Sequence, residues 1–261
     1  MRLTGQIVVI TGGSSGLGKA VGVAAAKAGA TVVLLARRKI ALQQAQAAAT
    51  AASGLPNYAY VLDVSDPVAM AAVVARIQRE VGPIDALVNA AGFGHFEPAV
   101  TTKPALVAKM VRVNLLGTMY MTQLVGRAMV DAGHGHIINV ASMAGKIATP
   151  KSAVYSATKF GVIGYSNALR LELRPFGVRV TTVNPGPIKT NFFAVAGAGD
   201  YLQRVAWLAL DPEHLAARIV AAIHRPVREI NAPVVMNVAA KLYDLFPRVG
   251  DMLAGGVFNR K

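Results

Sequence analysis

The chain contains no cysteine, few acidic residues and no long uncharged apolar run. Without cysteine it forms neither a disulfide nor a thiolate metal site, which suits a reducing compartment. The first apolar strand follows within a few residues of Met1, so we expect no signal peptide. No apolar stretch reaches the roughly 18 residues that a membrane-spanning helix needs. These absences predict a cytoplasmic protein. His134 and His136 lack partners at metal-ligand spacing, so we predict no metal site.

Acidic residues are scarce: 13 Asp and Glu stand against 27 Lys and Arg, a formal net charge of +14. Such a balance is typical of proteins that meet nucleic acid, an anionic membrane or anionic ligands. The cations are scattered, however, and they do not alternate with aromatic residues as in single-strand binders. We therefore expect no nucleic-acid partner. Attraction for a phosphorylated cofactor or an acidic surface explains the charge better.

Hydrophobic residues make up 54% of the 261 residues, which is enough for a large α/β core. Apolar, β-branched runs alternate with helical stretches along the whole chain. The runs predict strands at Gln6–Thr11, Thr31–Ala36, Tyr58–Leu62, Ala86–Asn89, His136–Val140, Arg179–Val183 and Ile230–Val235. The stretches between them predict helices at Leu17–Ala28, Ile40–Ala52, Pro67–Val81, Pro104–Asp131, Ala153–Leu173 and Pro212–His224. This alternation predicts one domain over 1–261 with a doubly wound, Rossmann-type α/β fold. Its sheet is seven-stranded and mostly parallel, with helices on both faces.

A glycine-rich turn, T-G-G-S-S-G-L-G at Thr11–Gly18, separates the first strand from the first helix. Gly12, Gly16 and Gly18 remove side chains where the backbone bends and approaches a ligand. Backbone N–H groups and the helix dipole favour an anion at the start of the helix. An ordinary βα turn is the alternative, but the strand before and the helix after favour a dinucleotide site.

The second strand ends at Arg37 and Arg38, where an NAD-preferring site commonly carries an acid. Two guanidinium groups are suited to a 2′-phosphate, so we predict NADP(H) rather than NAD(H). A solvated basic pair is the alternative. At the end of the third strand, Asp63 either accepts from an adenine amino group or caps a turn. The run N-A-A-G at 89–92 brings small residues against a cofactor.

Ser142 ends the fifth strand, and Tyr155 and Lys159 follow at i and i+4 on one helix face. A neighbouring ammonium favours the phenolate, so we expect Lys159 to lower the pKa of Tyr155. Tyr155 would then serve as a proton donor or acceptor near neutrality. The Tyr-x-x-x-Lys spacing alone is weak evidence for a catalytic pair. Its position after a strand-end serine, in a chain that opens with a glycine turn, makes the evidence stronger.

With these motifs in order, the chain resembles the short-chain dehydrogenase/reductase family from about Gln6 to Thr190. The matching motifs are T-G-G-S-S-G-L-G, D-V at 63–64, N-A-A-G, Asn114 in V-N-L-L-G, Ser142, Y-S-A-T-K at 155–159 and P-G-P-I-K-T at 185–190. The resemblance implies an NADP-dependent carbonyl reductase or alcohol dehydrogenase of apolar small molecules. It also implies a homodimer or homotetramer.

The resemblance further implies roles for individual residues. Tyr155 would exchange a proton with the substrate oxygen, and Ser142 would hydrogen-bond that oxygen. Lys159 would hold the nicotinamide ribose, and Asn114 would keep a water in a proton relay. The residues expected to bind the cofactor are Gly12, Ser14, Ser15, Gly16, Leu17, Gly18, Arg37, Arg38, Asp63, Val64, Asn89, Ala90, Gly92, Tyr155, Lys159, Pro185, Gly186, Ile188 and Thr190.

Aromatic residues and glycines in segment 191–210 indicate a lid over the substrate, although ordinary helix packing explains them equally well. Phe192 and Phe193 from this segment, together with Ser142, would contact the substrate. Phe93 and His95, followed by Phe96, would form the opposite wall.

The extension at 236–261 has an apolar helical pattern accompanied by basic residues. Three roles are open for this extension: it lies on an anionic bilayer, it covers the mouth of the pocket, or it joins a subunit interface. The sequence favours the last two, in which the extension packs against protein. A second hypothesis for the whole chain is a cofactor sensor of the same fold without turnover. The intact Asn114, Ser142, Tyr155 and Lys159 argue against it.

Overall fold

A computed structural model describes residues 3–196 and 206–257. Seven strands form one sheet in the order β3-β2-β1-β4-β5-β6-β7. The strands are β1 Ile7–Thr11, β2 Thr31–Ala36, β3 Tyr58–Val61, β4 Ala86–Asn89, β5 Gly135–Val140, β6 Val178–Pro185 and β7 Glu229–Ala232. Every pairing is parallel. The predicted doubly wound α/β fold is confirmed, and the sheet is parallel throughout rather than mostly.

Helices connect successive strands and cover both faces of the sheet. In chain order they are α1 Gly16–Lys27, α2 Lys39–Ser53, α3 Pro67–Glu80, α4 Pro104–Val111, α5 Gly117–Ala132, α6 Ala153–Leu173, α7 Phe192–Val195, α8 Pro212–Ala222, α9 Val234–Leu245 and α10 Pro247–Val257. Local sequence explains several of the ends. Asp66 accepts hydrogen bonds from the Val68 and Ala69 N–H groups, 3.0 Å each, and so caps α3. Gly133, at φ +72°, ends α5 in the left-handed conformation.

Two apolar layers hold the helices to the sheet. Side chains alternate between the faces of a strand, so Val8 and Ile10 point to one layer while Val9 points to the other. The first layer packs against α1, α2 and α8, and the second against α3, α5 and α6. Because both faces are covered, the central strands β1, β2 and β4 are almost continuously apolar.

The helix predicted at Pro104–Asp131 contains a change of winding. Residues Arg112–Leu116 form a π-helical segment between α4 and α5. Such segments insert an extra residue into the helix and are frequent at functional sites. Asn114 lies at the centre of this segment.

The strand predicted at Ile230–Val235 is shorter in the structure. It ends at Ala232, because Pro233 has no N–H to donate to the sheet, and α9 begins at Val234. The apolar pattern of the C-terminal extension therefore forms two helices, α9 and α10. Within the described parts of the chain, no helix is long and apolar enough to cross a membrane.

Candidate active site

A cavity of about 1040 Å³ lies along the carboxyl ends of the parallel strands. This is the edge of the sheet at which open α/β folds bind ligands. Its volume is at the upper end of the roughly 300–1,000 Å³ that small-molecule sites occupy, so it has room for a cofactor and a substrate. All the site residues predicted from the sequence line it except Asn89, His95 and Asn114.

The glycine turn forms one end of the cavity. Gly12 has φ +71°, and a Cβ there would lie 2.9 Å from the Ala90 backbone. The Thr11 hydroxyl holds the two strand ends together, because it accepts from the Ala90 and Ala91 N–H groups at 3.1 Å each. Ser15 makes no side-chain hydrogen bond to cap α1. A side-chain-free backbone beside an uncapped helix start fits a dinucleotide pyrophosphate.

Cations predominate around the cavity. Six Lys and Arg side chains line it, against Asp63 and Glu213; the six are Lys19, Lys27, Arg37, Arg38, Lys159 and Lys189. The wall therefore carries an excess of positive charge, which favours an anionic ligand.

Arg37 and Arg38 are exposed at the end of β2, as predicted. The Arg38 guanidinium donates to the Ser15 hydroxyl at 2.8 Å and to Ser14 at 3.4 Å, and so it is fixed over the glycine turn. Arg37 lies 3.6 Å from the Asp63 carboxylate. Burial raises the pKa of Asp63, but hydrogen bonds from Ser65 and the charge of Arg37 outweigh burial and leave the pKa below its usual value. Arg38 is thus the guanidinium without a carboxylate partner at this corner.

Ser142, Tyr155 and Lys159 meet in the wall of the same cavity. The Ser142 hydroxyl accepts from the Ala144 N–H at 3.0 Å and forms a hydrogen bond with the Tyr155 phenol. Lys159 lies one turn beyond Tyr155 on α6, with its Nζ 5.8 Å from the centre of the phenol ring. Its ammonium donates to the Val140 carbonyl at 2.9 Å. The structure therefore brings together a hydroxyl, a phenol and an amine from separate segments of the chain.

The prediction that Lys159 lowers the pKa of Tyr155 is wrong for this structure. Burial raises the pKa of Tyr155 to about 12, and the hydrogen bond with Ser142 lowers it only in part. Burial also lowers the pKa of Lys159 to about 8. The physical reason is that both groups are more than nine-tenths buried, so each charged form loses hydration.

Asn114 lies behind the cavity wall and is fully buried. Its Oδ1 accepts from the Phe93 N–H, and its Nδ2 donates to the Phe93 carbonyl, both at 2.9 Å. The Nδ2 also donates to the Thr158 hydroxyl at 3.1 Å. A Cβ at Gly92 would lie 3.2 Å from Asn114 Oδ1 and 3.5 Å from Lys159 Nζ. The amide therefore ties the loop after β4 to α6 beside Lys159, and the predicted water relay stays a prediction.

Asn89 and His95 also lie away from the cavity wall. The Asn89 amide is buried and donates to the Thr122 hydroxyl at 3.0 Å and to Asn139 at 2.9 Å. The imidazole of His95 lies 3.5 Å from the Glu97 carboxylate. The predicted contact of Asn89 with the cofactor and that of His95 with the substrate therefore gain no support from the structure.

An aromatic cluster surrounds the Tyr155 ring. The Phe96 and Phe192 rings each lie 5.7 Å from it, centre to centre, and Phe193 stacks on Phe96 at 6.0 Å. Phe93, Phe96, Phe192 and Phe193 all line the cavity. Nine of the twenty residues of the predicted lid, 197–205 with the aromatic Tyr201, lie outside the described residues.

Sequence reasoning missed Met143, Ile147 and Met236 in the cavity wall. Met143 directly follows the predicted site residue Ser142, so its position in the sequence could have indicated that it lines the cavity. Met236 comes from the C-terminal extension, and no local signal connects that extension to the cavity.

Comparison with known proteins identifies relatives over most of the chain. The family model for short chain dehydrogenases matches residues 6–199. The ketoacyl reductase HetN of Nostoc sp. is 35% identical over 228 residues, which cover 87% of this chain and 78% of that protein. The glycine betaine reductase ATRR of Emericella nidulans is also 35% identical over 228 residues, but this chain spans only 18% of its length. The solved structure of actinorhodin polyketide ketoreductase with NADPH is 28% identical, with a TM-score of 0.81 over 87% of this chain and 95% of that one.

Proposed function

Because this chain belongs to the short-chain dehydrogenase/reductase family of oxidoreductases, we propose that it transfers a hydride between NADP(H) and the carbonyl or secondary alcohol of an apolar small molecule. The observation that carries the proposal is the meeting of Ser142, Tyr155 and Lys159 in the wall of one large cavity. HetN is a ketoacyl reductase by name, which favours reduction of a carbonyl as the direction.

The cofactor would lie along the glycine turn. Gly12, Gly16 and the start of α1 would hold its pyrophosphate. Arg38, held over the turn by Ser15, would pair with the 2′-phosphate, and Arg37 would assist it. Pro185, Gly186, Ile188 and Thr190 also line the cavity and would fix the nicotinamide. When bound, the cofactor supplies or accepts the hydride.

Tyr155 is the proton donor of the proposed reduction. With a pKa of about 12 the phenol keeps its proton at neutral pH, which suits donation to a carbonyl oxygen. Ser142, hydrogen-bonded to the phenol, would donate to the same oxygen and stabilise the charge that develops there. Lys159, whose Nζ lies 5.8 Å from the centre of the phenol ring, would bind the nicotinamide ribose.

The aromatic cluster around Tyr155 favours an apolar substrate. Phe96, Phe192 and Phe193 form the wall nearest the phenol, so the group beside the reacting carbon meets rings rather than charges. A hydrophobic ketone or aldehyde fits such a wall better than a sugar or a charged acid.

A substrate screen tests the proposed function. Purified protein is mixed with NADPH and with aldehydes, ketones and steroid-like carbonyls, and the loss of NADPH absorbance is followed. We expect turnover of apolar carbonyls, and slower turnover when NADH replaces NADPH. Tight NADPH binding without turnover of any carbonyl would contradict the proposal and favour the cofactor sensor.

A further inference from the structure

The C-terminal helices expose an unusual amount of apolar surface. Nine large apolar side chains of this region are each at least half exposed. They are Val234, Val235, Val238, Leu242, Leu245, Phe246, Val249, Met252 and Leu253, and we call them the C-terminal apolar face. Soluble monomers rarely expose contiguous apolar patches beyond roughly 300–600 Å², and larger ones mark interaction sites.

The apolar face is built on ordered, folded helices. Along α9 its members fall at i, i+1, i+4, i+8 and i+11, which places them within one arc of about 100°. On the other side of the two helices, Ala240 and Ala254 are buried. The Tyr243 hydroxyl donates to Asp251 at 2.6 Å, and Gly250 packs against the Tyr243 ring. α9 and α10 therefore form a helical pair with one packed side and one apolar side open to solvent.

We propose that the C-terminal apolar face docks on the surface of an anionic lipid bilayer. An amphipathic helix lies in the headgroup region when its apolar side is flanked by cations. Lys241 flanks the face on α9, and it shares a recess of about 370 Å³ with Lys146 and Arg228. Two acids line the same recess, Asp244 and Glu229, and Glu229 pairs with Lys146 at 2.6 Å, so the recess keeps one formal positive charge in excess.

Net charge favours a bilayer over a second copy of this chain as the occupant of this face. Each copy carries a formal charge of +14, so two copies repel each other at long range, whereas an anionic surface attracts each of them. Basic residues near an anionic leaflet contribute about 1 kcal/mol each. A bilayer therefore suits both the exposed apolar side chains and the net positive charge of the whole chain.

The position of α9 links the docking face to the cavity. Met236 on this helix lines the active-site cavity, and its sulfur lies within 3 Å of where a Cβ on Gly186 would be. Docking would therefore place α9 between the bilayer, where apolar molecules are concentrated, and the rim of the cavity. The docking itself does not depend on the proposed hydride transfer.

Flotation of the purified full chain with vesicles tests the proposal. One set of vesicles contains phosphatidylcholine alone, and the other contains about a third phosphatidylglycerol, which gives an anionic surface. We expect binding to the anionic vesicles at low salt, weakened by added salt. In a double variant, Val238→Glu with Leu242→Glu, we expect binding to fall roughly tenfold or more, since two contacts with the acyl region are lost and two negative charges are added.

The control variant is Val68→Glu, which changes a 78% exposed valine on α3. That helix follows β3, the strand at the opposite edge of the sheet from β7. We expect this variant to bind vesicles like the parent protein, and both variants to keep the parent's thermal unfolding temperature. Absence of vesicle binding at low salt, or equal binding by the double variant, would overturn the proposal. Loss of self-association in the double variant, without vesicle binding, would assign the face to a subunit interface instead.

Discussion

Replacing Lys159 with methionine should stabilise the protein while it removes activity. Lys159 is 5% exposed, and burial lowers its pKa from 10.5 to about 8. At about 1.4 kcal/mol per pKa unit, the charged form costs the fold about 3 kcal/mol. The hydrogen bond from Nζ to the Val140 carbonyl, 2.9 Å, returns about 1 kcal/mol. Methionine has a similar length and no charge, so we expect a net gain of about 2 kcal/mol in the free energy of unfolding at pH 7.

The size of the effect changes with pH in a defined way. Below pH 8 both the folded and the unfolded chain carry the charge on Lys159, so the full cost is present. Between pH 8 and 10.5 the folded chain loses its proton first, and the cost disappears as the pH rises. The advantage of the Lys159→Met variant should therefore be largest at pH 7 and nearly absent at pH 10.5.

Urea unfolding at several pH values measures this difference. Lys103→Met, which changes an exposed lysine, serves as the control and should not alter the unfolding free energy at any pH. If Lys159→Met is less stable than the parent at pH 7, with a difference that does not change up to pH 10.5, the assignment of Lys159 as a desolvated cation is wrong.

Three further substitutions test other parts of the site. Thr11→Val removes the acceptor of the Ala90 and Ala91 N–H groups and should lower the free energy of unfolding by about 2 kcal/mol in urea titrations; a loss below about 0.5 kcal/mol would contradict the role of this hydroxyl. Arg38→Ala should lower kcat/KM for NADPH roughly 10- to 100-fold and leave kcat/KM for NADH unchanged. An unchanged ratio of kcat/KM for NADPH to kcat/KM for NADH would refute the 2′-phosphate contact. Ser142→Ala should reduce kcat about 10²- to 10³-fold with unchanged NADPH affinity, and near-normal kcat would exclude Ser142 from the reaction.

The sequence predicts the layout of the sheet because strand and helix patterns are local. Continuous apolar runs require cover on both faces, which leaves few arrangements for seven alternating strands and helices. The end of β7 was misplaced since Val234 and Val235 are apolar and β-branched, while the proline before them ends the strand. The π-helical segment around Asn114 was not predicted, because a pattern of apolar residues does not distinguish one turn of π-helix from an α-helix.

The site residues were predictable as a set, but their electrostatics were not. The spacing of Tyr155 and Lys159 predicts their proximity, which the structure confirms. It does not predict burial, and burial dominates both pKa values. Likewise Asn89 is the last residue of β4, at the cavity edge of the sheet, yet its side chain turns into the interior toward Thr122. Met236 reaches the cavity only because α9 folds back beside Gly186.

The most direct test of the proposed chemistry is the Tyr155→Phe variant. Phenylalanine keeps the ring that contacts Phe96 and Phe192 and removes only the hydroxyl that would transfer the proton. Turnover of an apolar carbonyl is measured by NADPH absorbance, and NADPH affinity is measured separately by fluorescence. We predict a fall in kcat of at least about 10³-fold with NADPH affinity within a few-fold of the parent. Turnover within tenfold of the parent would contradict the account.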